Sequence, residues 1–206
     1  QIVPLENAVR QIVASPYPEH LFDPGSYAFK AIVIAHALRE AGTVLWIDAN
    51  VEVRRPLDEI SLIIAETGHF LVEHPYRFPT PQIHHPSALE QLGCSGVPDF
   101  SREHCATTFV GATRRGWLAT EILPRLVNCS IVATCINPPG SSRANNRQEQ
   151  TALNAILCNL GAPSDGMCTA EKRFRLTSDF ENDHDPMQPT ADETNWNHQL
   201  LYTRRN

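Results

Sequence analysis

Thr43-Val44-Leu45-Trp46-Ile47 is an unbroken apolar run rich in β-formers. A strand patterned this way has both faces covered, unlike the alternation of a strand with one wet face. It therefore demands helices on either side, and the flanking sequence supplies them. Upstream, Ser26 can cap a helix from Tyr27 to Ala41 that Gly42 ends. Ala31, Ile34, Ala35 and Leu38 recur at i, i+3, i+4 and i+7 and mark its buried face. Downstream, Pro56 sits where a second helix starts, with Asp58 and Glu59 in its first turn, and this helix reaches about Ala65. His69 to Val72, Thr107 to Gly111 and Ile131 to Cys135 read as further strands. A helix ending near Leu126 is bent by Pro124. Another, from Arg147 to Leu160, is capped by Asn145 or Asn146 and closed by Gly161. Strands alternating with helices predict an α/β domain with a mainly parallel sheet flanked by helices.

The segments between are less periodic. Residues 1–25 read as a short helix or strand followed by a loop. Residues 74–104 read as a long loop rich in Pro, His and Gly, which inside a compact domain is usually functional or poorly ordered. Residues 1–178 are expected to form one domain, and residues 179–206, dense in acidic side chains, a polar C-terminal loop and tail.

Composition removes several functions. The chain has 206 residues and a net charge of −6, which disfavours a sequence-independent grip on nucleic acid. No apolar run approaches a bilayer-spanning length; Ala31 to Leu38 is broken by His36. The six cysteines, Cys94, Cys105, Cys129, Cys135, Cys158 and Cys168, contain no CxxC pair, which argues against a zinc ribbon or a thioredoxin-like site. Their even number, together with the sequon Asn128-Cys129-Ser130, points to an oxidising lumen, with buried reduced thiols as the alternative. Which cysteines pair is open.

Two places can carry chemistry. Asp48 leaves the apolar strand with Asn50 two residues on, and i and i+2 side chains of extended backbone share a face. Two such oxygen donors can meet one hard divalent cation. An Asp here can equally cap the turn that follows. The second place is the start of the Arg147 helix. Gln150 and Asn154 lie at i and i+4, Arg147 joins that side, and a helix N-terminus favours anionic or hydroxyl-rich ligands. The plain alternative is a capped helix whose polar end meets water. His84-His85 with Glu73 and His74 fits no standard zinc spacing. Gly93-Cys94-Ser95-Gly96 only faintly suggests a nucleophile turn. Arg54-Arg55 and Arg114-Arg115 can meet a diphosphate or simply face water.

The stretch Leu45-Trp46-Ile47-Asp48-Ala49-Asn50-Val51-Glu52-Val53-Arg54-Arg55-Pro56-Leu57-Asp58 resembles the strand, Asp-x-Asp, strand and Pro-Leu helix of GT-A glycosyltransferases. Phe109-Val110-Gly111 resembles their central strand under the sugar. Asn146 to Asn154 resembles their "Asp-Gln-x-Ala-Leu-Asn" helix start. Tyr27-Ala28-Phe29-Lys30 is similar to a pattern in an animal family of uncharacterised, glycosyltransferase-like secretory proteins. The resemblance spans roughly residues 26–160 and implies a GT-A-like sheet. With only about 25 residues before the first helix, part of the N-terminal nucleotide-binding half is expected to be missing. It departs from the pattern at Asn50, which replaces the last Asp, and at Glu149, which replaces an Asp.

The resemblance implies a glycosyltransferase that moves a sugar from a nucleotide sugar to an acceptor hydroxyl. Manganese or magnesium would be held by Asp48, Asn50 and His198, with His184 as another candidate for the last ligand. Glu149 and Gln150 would be catalytic, and Asn154, Arg147, Gly111 and Lys30 would bind substrate. The partners would be a nucleotide sugar and a glycan or glycoprotein acceptor. The location would be the secretory lumen, in the Golgi, with any membrane anchor outside these residues. The alternative is a non-catalytic module on the same fold that binds a glycan or a partner.

Overall fold

The computed structural model describes residues 4–49, 51–53, 56–73, 84–94, 104–161, 168 and 201–203. Helix α1 spans Leu5–Ile12 and α2 spans Phe29–Ala41. Strand β1 (Thr43–Ile47) leads through a turn to β2 (Val51–Val53). Then follow α3 (Asp58–Thr67), β3 (His69–Glu73), α4 (Pro86–Gln91) and the long β4 (Cys105–Thr113). A π-helical turn at Leu118–Ile122 runs into α5 (Leu123–Ile131), α6 (Ala133–Ile136) and α7 (Glu149–Asn159). Strand β5 is Leu201–Thr203.

The expected mainly parallel, GT-A-like sheet is not what forms. β1, β4 and β3 make a three-stranded sheet in that order, and both pairings are antiparallel. β2 and β5 pair antiparallel in a separate two-stranded sheet. β1 and β3 do point the same way, with α3 crossing between them, but β4 inserts between them in the opposite sense. A continuous apolar run reports that both faces are covered and says nothing of strand direction, which is how the pattern misled. Helices do cover both faces. On one, α3 closes a small core of Ile60, Ile64, Phe70, Val72, Ala106 and Phe109. On the other, Val9, Ile32, Leu38, Leu71, Val110 and Leu153 belong to the main core, built with α1, α2, α5 and α7.

Other expectations shift for local reasons. α2 begins at Phe29, because Ser26 Oγ accepts from Ala28 N and holds a turn before it. Gly42 does end it, at φ 79°. Ile131 to Cys135 is not a strand. α5 ends there, Val132 alone is extended, and α6 follows, inside the loop closed by Cys129–Cys135. Pro124 lies in the first turn of α5, where its missing N–H costs nothing, so the helix changes register before it instead of ending. Within the expected 74–104 loop, Pro86–Gln91 is helical. β5 falls inside the expected C-terminal tail.

All six cysteines are paired: Cys94–Cys158, Cys105–Cys168 and Cys129–Cys135. Three disulfides are consistent with a secreted protein. Among the described residues no helix is long and apolar enough to cross a membrane.

Candidate functional site

The antiparallel sheet carries an irregularity that builds the site. Leu71 pairs with Val110, but the next residue, Val72, pairs with Ala106, so Thr107 to Phe109 bulge out of the β3 ladder. A bulge frees backbone groups and re-aims side chains, and such bulges gather beside functional sites. Here the Thr107 carbonyl accepts from Lys30 Nζ at 3.3 Å, and the Thr108 carbonyl accepts from Asp48 N at 3.0 Å. The second bond carries β1 one residue further and fixes where Asp48 stands.

Lys30, Asp48 and Glu149 then converge from α2, the end of β1 and the start of α7. Lys30 Nζ is 2.7 Å from Glu149 Oε1 and 3.0 Å from Asp48 Oδ1. The Thr107 hydroxyl donates to Glu149 Oε1 at 2.9 Å, and Trp46 Nε1 donates to Asp48 Oδ1 at 2.6 Å. The Lys30 and Glu149 side chains are only 4% and 7% exposed, whereas Asp48 keeps 24%. Behind Lys30 and Glu149, the space they share with Ile34 and Leu153 is about 10 Å³, room for no more than one water. Any ligand therefore has to meet this cluster from the Asp48 side.

Burial works against the charge on Lys30, but Glu149 and then Asp48, by charge and by hydrogen bond, outweigh it and hold its pKa above the ordinary value. One cation between two carboxylates leaves the cluster a net negative charge. Tyr27 and Gln148 are the non-glycine residues with positive φ among those described, at 55° and 42°. Tyr27 lies three residues before Lys30, and Gln148 immediately before Glu149. Backbone strain of this kind costs about 1–3 kcal/mol per residue and gathers at functional sites. Arg143, exposed, donates to the Tyr27 hydroxyl at 2.8 Å and lies over its ring, with Cζ 5.4 Å from the centroid.

The first turn of α7 holds a second polar string. Gln150 Nε2 is 2.6 Å from His104 Nε2, His104 Nδ1 is 3.1 Å from His84 Nε2, and His84 Nδ1 is 3.1 Å from Thr151 Oγ1. An amide nitrogen donates, so Gln150 gives a hydrogen bond to His104 Nε2. Both histidines are buried.

The residues singled out from sequence thus separate. Lys30, Asp48 and Glu149 meet, and Gln150, the next residue after Glu149, bonds instead to the histidine string. Asn154 does not face a ligand: its side chain brackets the Cys105 backbone, accepting from the N–H and donating to the carbonyl, both at 2.9 Å. Gly111 lies on the α3 face, where an added Cβ would stand 2.5 Å from Ile64 Cδ1, so it serves close packing of helix on sheet. Arg147 precedes α7, and its N–H donates to Thr151 Oγ1 at 3.0 Å. Asn50, His184 and His198 lie outside the described residues.

Of the three ligands that the resemblance implies for a divalent cation, Asp48 is the one that lies among the described residues. Among them no group of three His, Cys, Asp or Glu could hold a metal ion. Asp48 Oδ1 is already taken by Trp46 and Lys30, and Oδ2 accepts from Lys30 at 3.3 Å. Among the described residues the charge that neutralises this carboxylate is the Lys30 ammonium.

Trp46, Thr107 and His104 were missed from sequence. Trp46 and Asp48 are i and i+2 on one strand, so that pair was findable. Thr107 needs the bulge, and nothing in its neighbourhood announces His104. No family model matches the chain, and no curated protein or solved structure matches it either.

Proposed function

We propose that the chain moves a sugar from a nucleotide-sugar donor to an acceptor hydroxyl in the secretory pathway, in the Golgi, with the ligand engaging Asp48 at the mouth of the Lys30–Asp48–Glu149 cluster. The observation that carries this is the convergence of three charged side chains, far apart in sequence, on one point where only a carboxylate reaches solvent. In such a transfer the acceptor oxygen bonds to the anomeric carbon, the bond from that carbon to the diphosphate oxygen breaks, and the hydroxyl proton passes to a base. Asp48 is the carboxylate a hydroxyl can reach within hydrogen-bond distance. Glu149, buried and held by Lys30 and Thr107, positions Lys30. Arg143, at the rim beside Tyr27, is a guanidinium suited to a diphosphate.

The test is release of nucleoside diphosphate from a panel of nucleotide sugars, measured with and without manganese. Asp48→Asn is expected to lower turnover by about 10²-fold or more. Unchanged turnover would remove Asp48 from the chemistry.

A second reading, a glycan-binding module without catalysis, is favoured by one fact: both Asp48 oxygens are already engaged, by Trp46 and by the Lys30 ammonium. Calorimetry separates the two. Glycan binding with no affinity for nucleotides supports the module, and nucleoside diphosphate binding supports the transferase.

A further inference from the structure

The sequon Asn128-Cys129-Ser130 lies within α5. Asn128 is exposed and opens onto a surface groove of about 550 Å³, which it lines with Arg125, Val132, Gln91 and Asn159. Ser130 is the opposite case. It is 0% exposed, and its hydroxyl has no hydrogen-bond partner. A buried hydroxyl without a partner is a net cost to a fold, and alanine would fill the position without it. The carbonyl of Ser130, which any residue would provide, is what His20 Nε2 contacts, at 2.8 Å. The side-chain oxygen of Ser130 thus does nothing for the folded protein. It is, however, the atom that makes Asn128 an acceptor for N-linked glycan.

We propose that Asn128 carries an N-linked glycan, attached before α5 and the Cys129–Cys135 disulfide close. In the reaction Asn128 Nδ2 bonds to C1 of the first sugar of a lipid-linked diphospho-oligosaccharide. The bond from C1 to the phosphate oxygen breaks, the lipid diphosphate departs with the electron pair, and the amide gives up one proton. The order follows from access. Once folded, the middle residue of the sequon is tied to Cys135 and the Ser130 hydroxyl is sealed, so the tripeptide can no longer be read as a unit. The groove leaves the finished glycan room, and three disulfides are consistent with the oxidising compartment in which this chemistry takes place. The proposal is independent of the transferase reading.

The experiment is secretion of the full chain from cultured animal cells, followed by mass spectrometry of the Asn128 peptide. The expected result is a glycan mass that an N-glycan amidase removes, leaving aspartate at position 128. Asn128→Gln should be secreted without the added mass and with an unchanged circular dichroism spectrum. Ser130→Ala should lose the glycan while its unfolding midpoint, compared with deglycosylated wild type, stays level or rises; a structural serine would lower it. Offered to microsomal membranes, reduced and unfolded chain should be modified and the folded, oxidised chain should not. A stoichiometrically unmodified Asn128 in secreted wild-type protein overturns the proposal, and modification of the folded chain overturns its order.

Discussion

The two faces of the β1-β4-β3 sheet are built by opposite rules. Under α3 the face is dry: Ile60, Ile64, Phe70 and Phe109 interlock, and Gly111 lets helix and strand approach. The other face has the larger apolar core, yet at the bulge it takes in a lysine and two carboxylates, flanked by two residues of positive φ. The α3 face of this sheet is closed by apolar side chains. The opposite face instead buries charge beside the bulge. This costs desolvation and strain that the α3 side avoids, which is the physical ground for placing function there.

The strongest way to break this contrast is Lys30→Met. It strands Glu149 in a buried site and strips Asp48 of its ammonium, and should destabilise the protein by about 3–5 kcal/mol in denaturant titration. If the loss is negligible, the cluster is not a buried ion network. On the dry face Gly111→Ala should cost about 1–3 kcal/mol by overpacking, read the same way, with no effect on ligand binding at Asp48.

Alkaline titration sharpens the contrast further. The pKa of Lys30 is higher in the folded than in the unfolded chain, so its contribution is complete below about pH 10.5 and is lost as pH rises through the folded value. Wild type and Gly111→Ala should share this alkaline decline, and Lys30→Met should lack that part of it. The smallest effect is expected from Gln148→Gly, which suits the φ of 42° and should raise stability by about 1 kcal/mol. A midpoint that falls instead would show that packing of the buried Gln148 side chain, with the entropy cost of glycine, outweighs the relief of backbone strain.

Local signals in the sequence reported local facts. Gly42 as helix terminator and the apolar stripe of α2 follow from capping and periodicity. Strand direction was invisible, because burial on both faces looks the same in parallel and antiparallel sheets. The meeting of Asp48 with the start of α7 was foreseeable only as a resemblance. Its agent, Lys30, sits on the same helix as Ala31 and Ile34, and periodicity treats it as an interruption of their stripe. Asn154 shows the reverse error: a polar residue at helical spacing from Gln150 proves to be a clasp on the Cys105 backbone. Spacing places a side chain on a face, and only tertiary contact decides what its atoms are used for.

The pairing of β5 with β2 has a practical corollary. Val51 N donates to the Asp48 carbonyl, and Val51 is paired in register with Thr203. A deletion that stops short of position 201 thus strips the neighbour from the strand that anchors the Asp48 turn. Trimming that removes residues 201–203 would then perturb any measurement that reads Asp48 from what looks like a harmless distance.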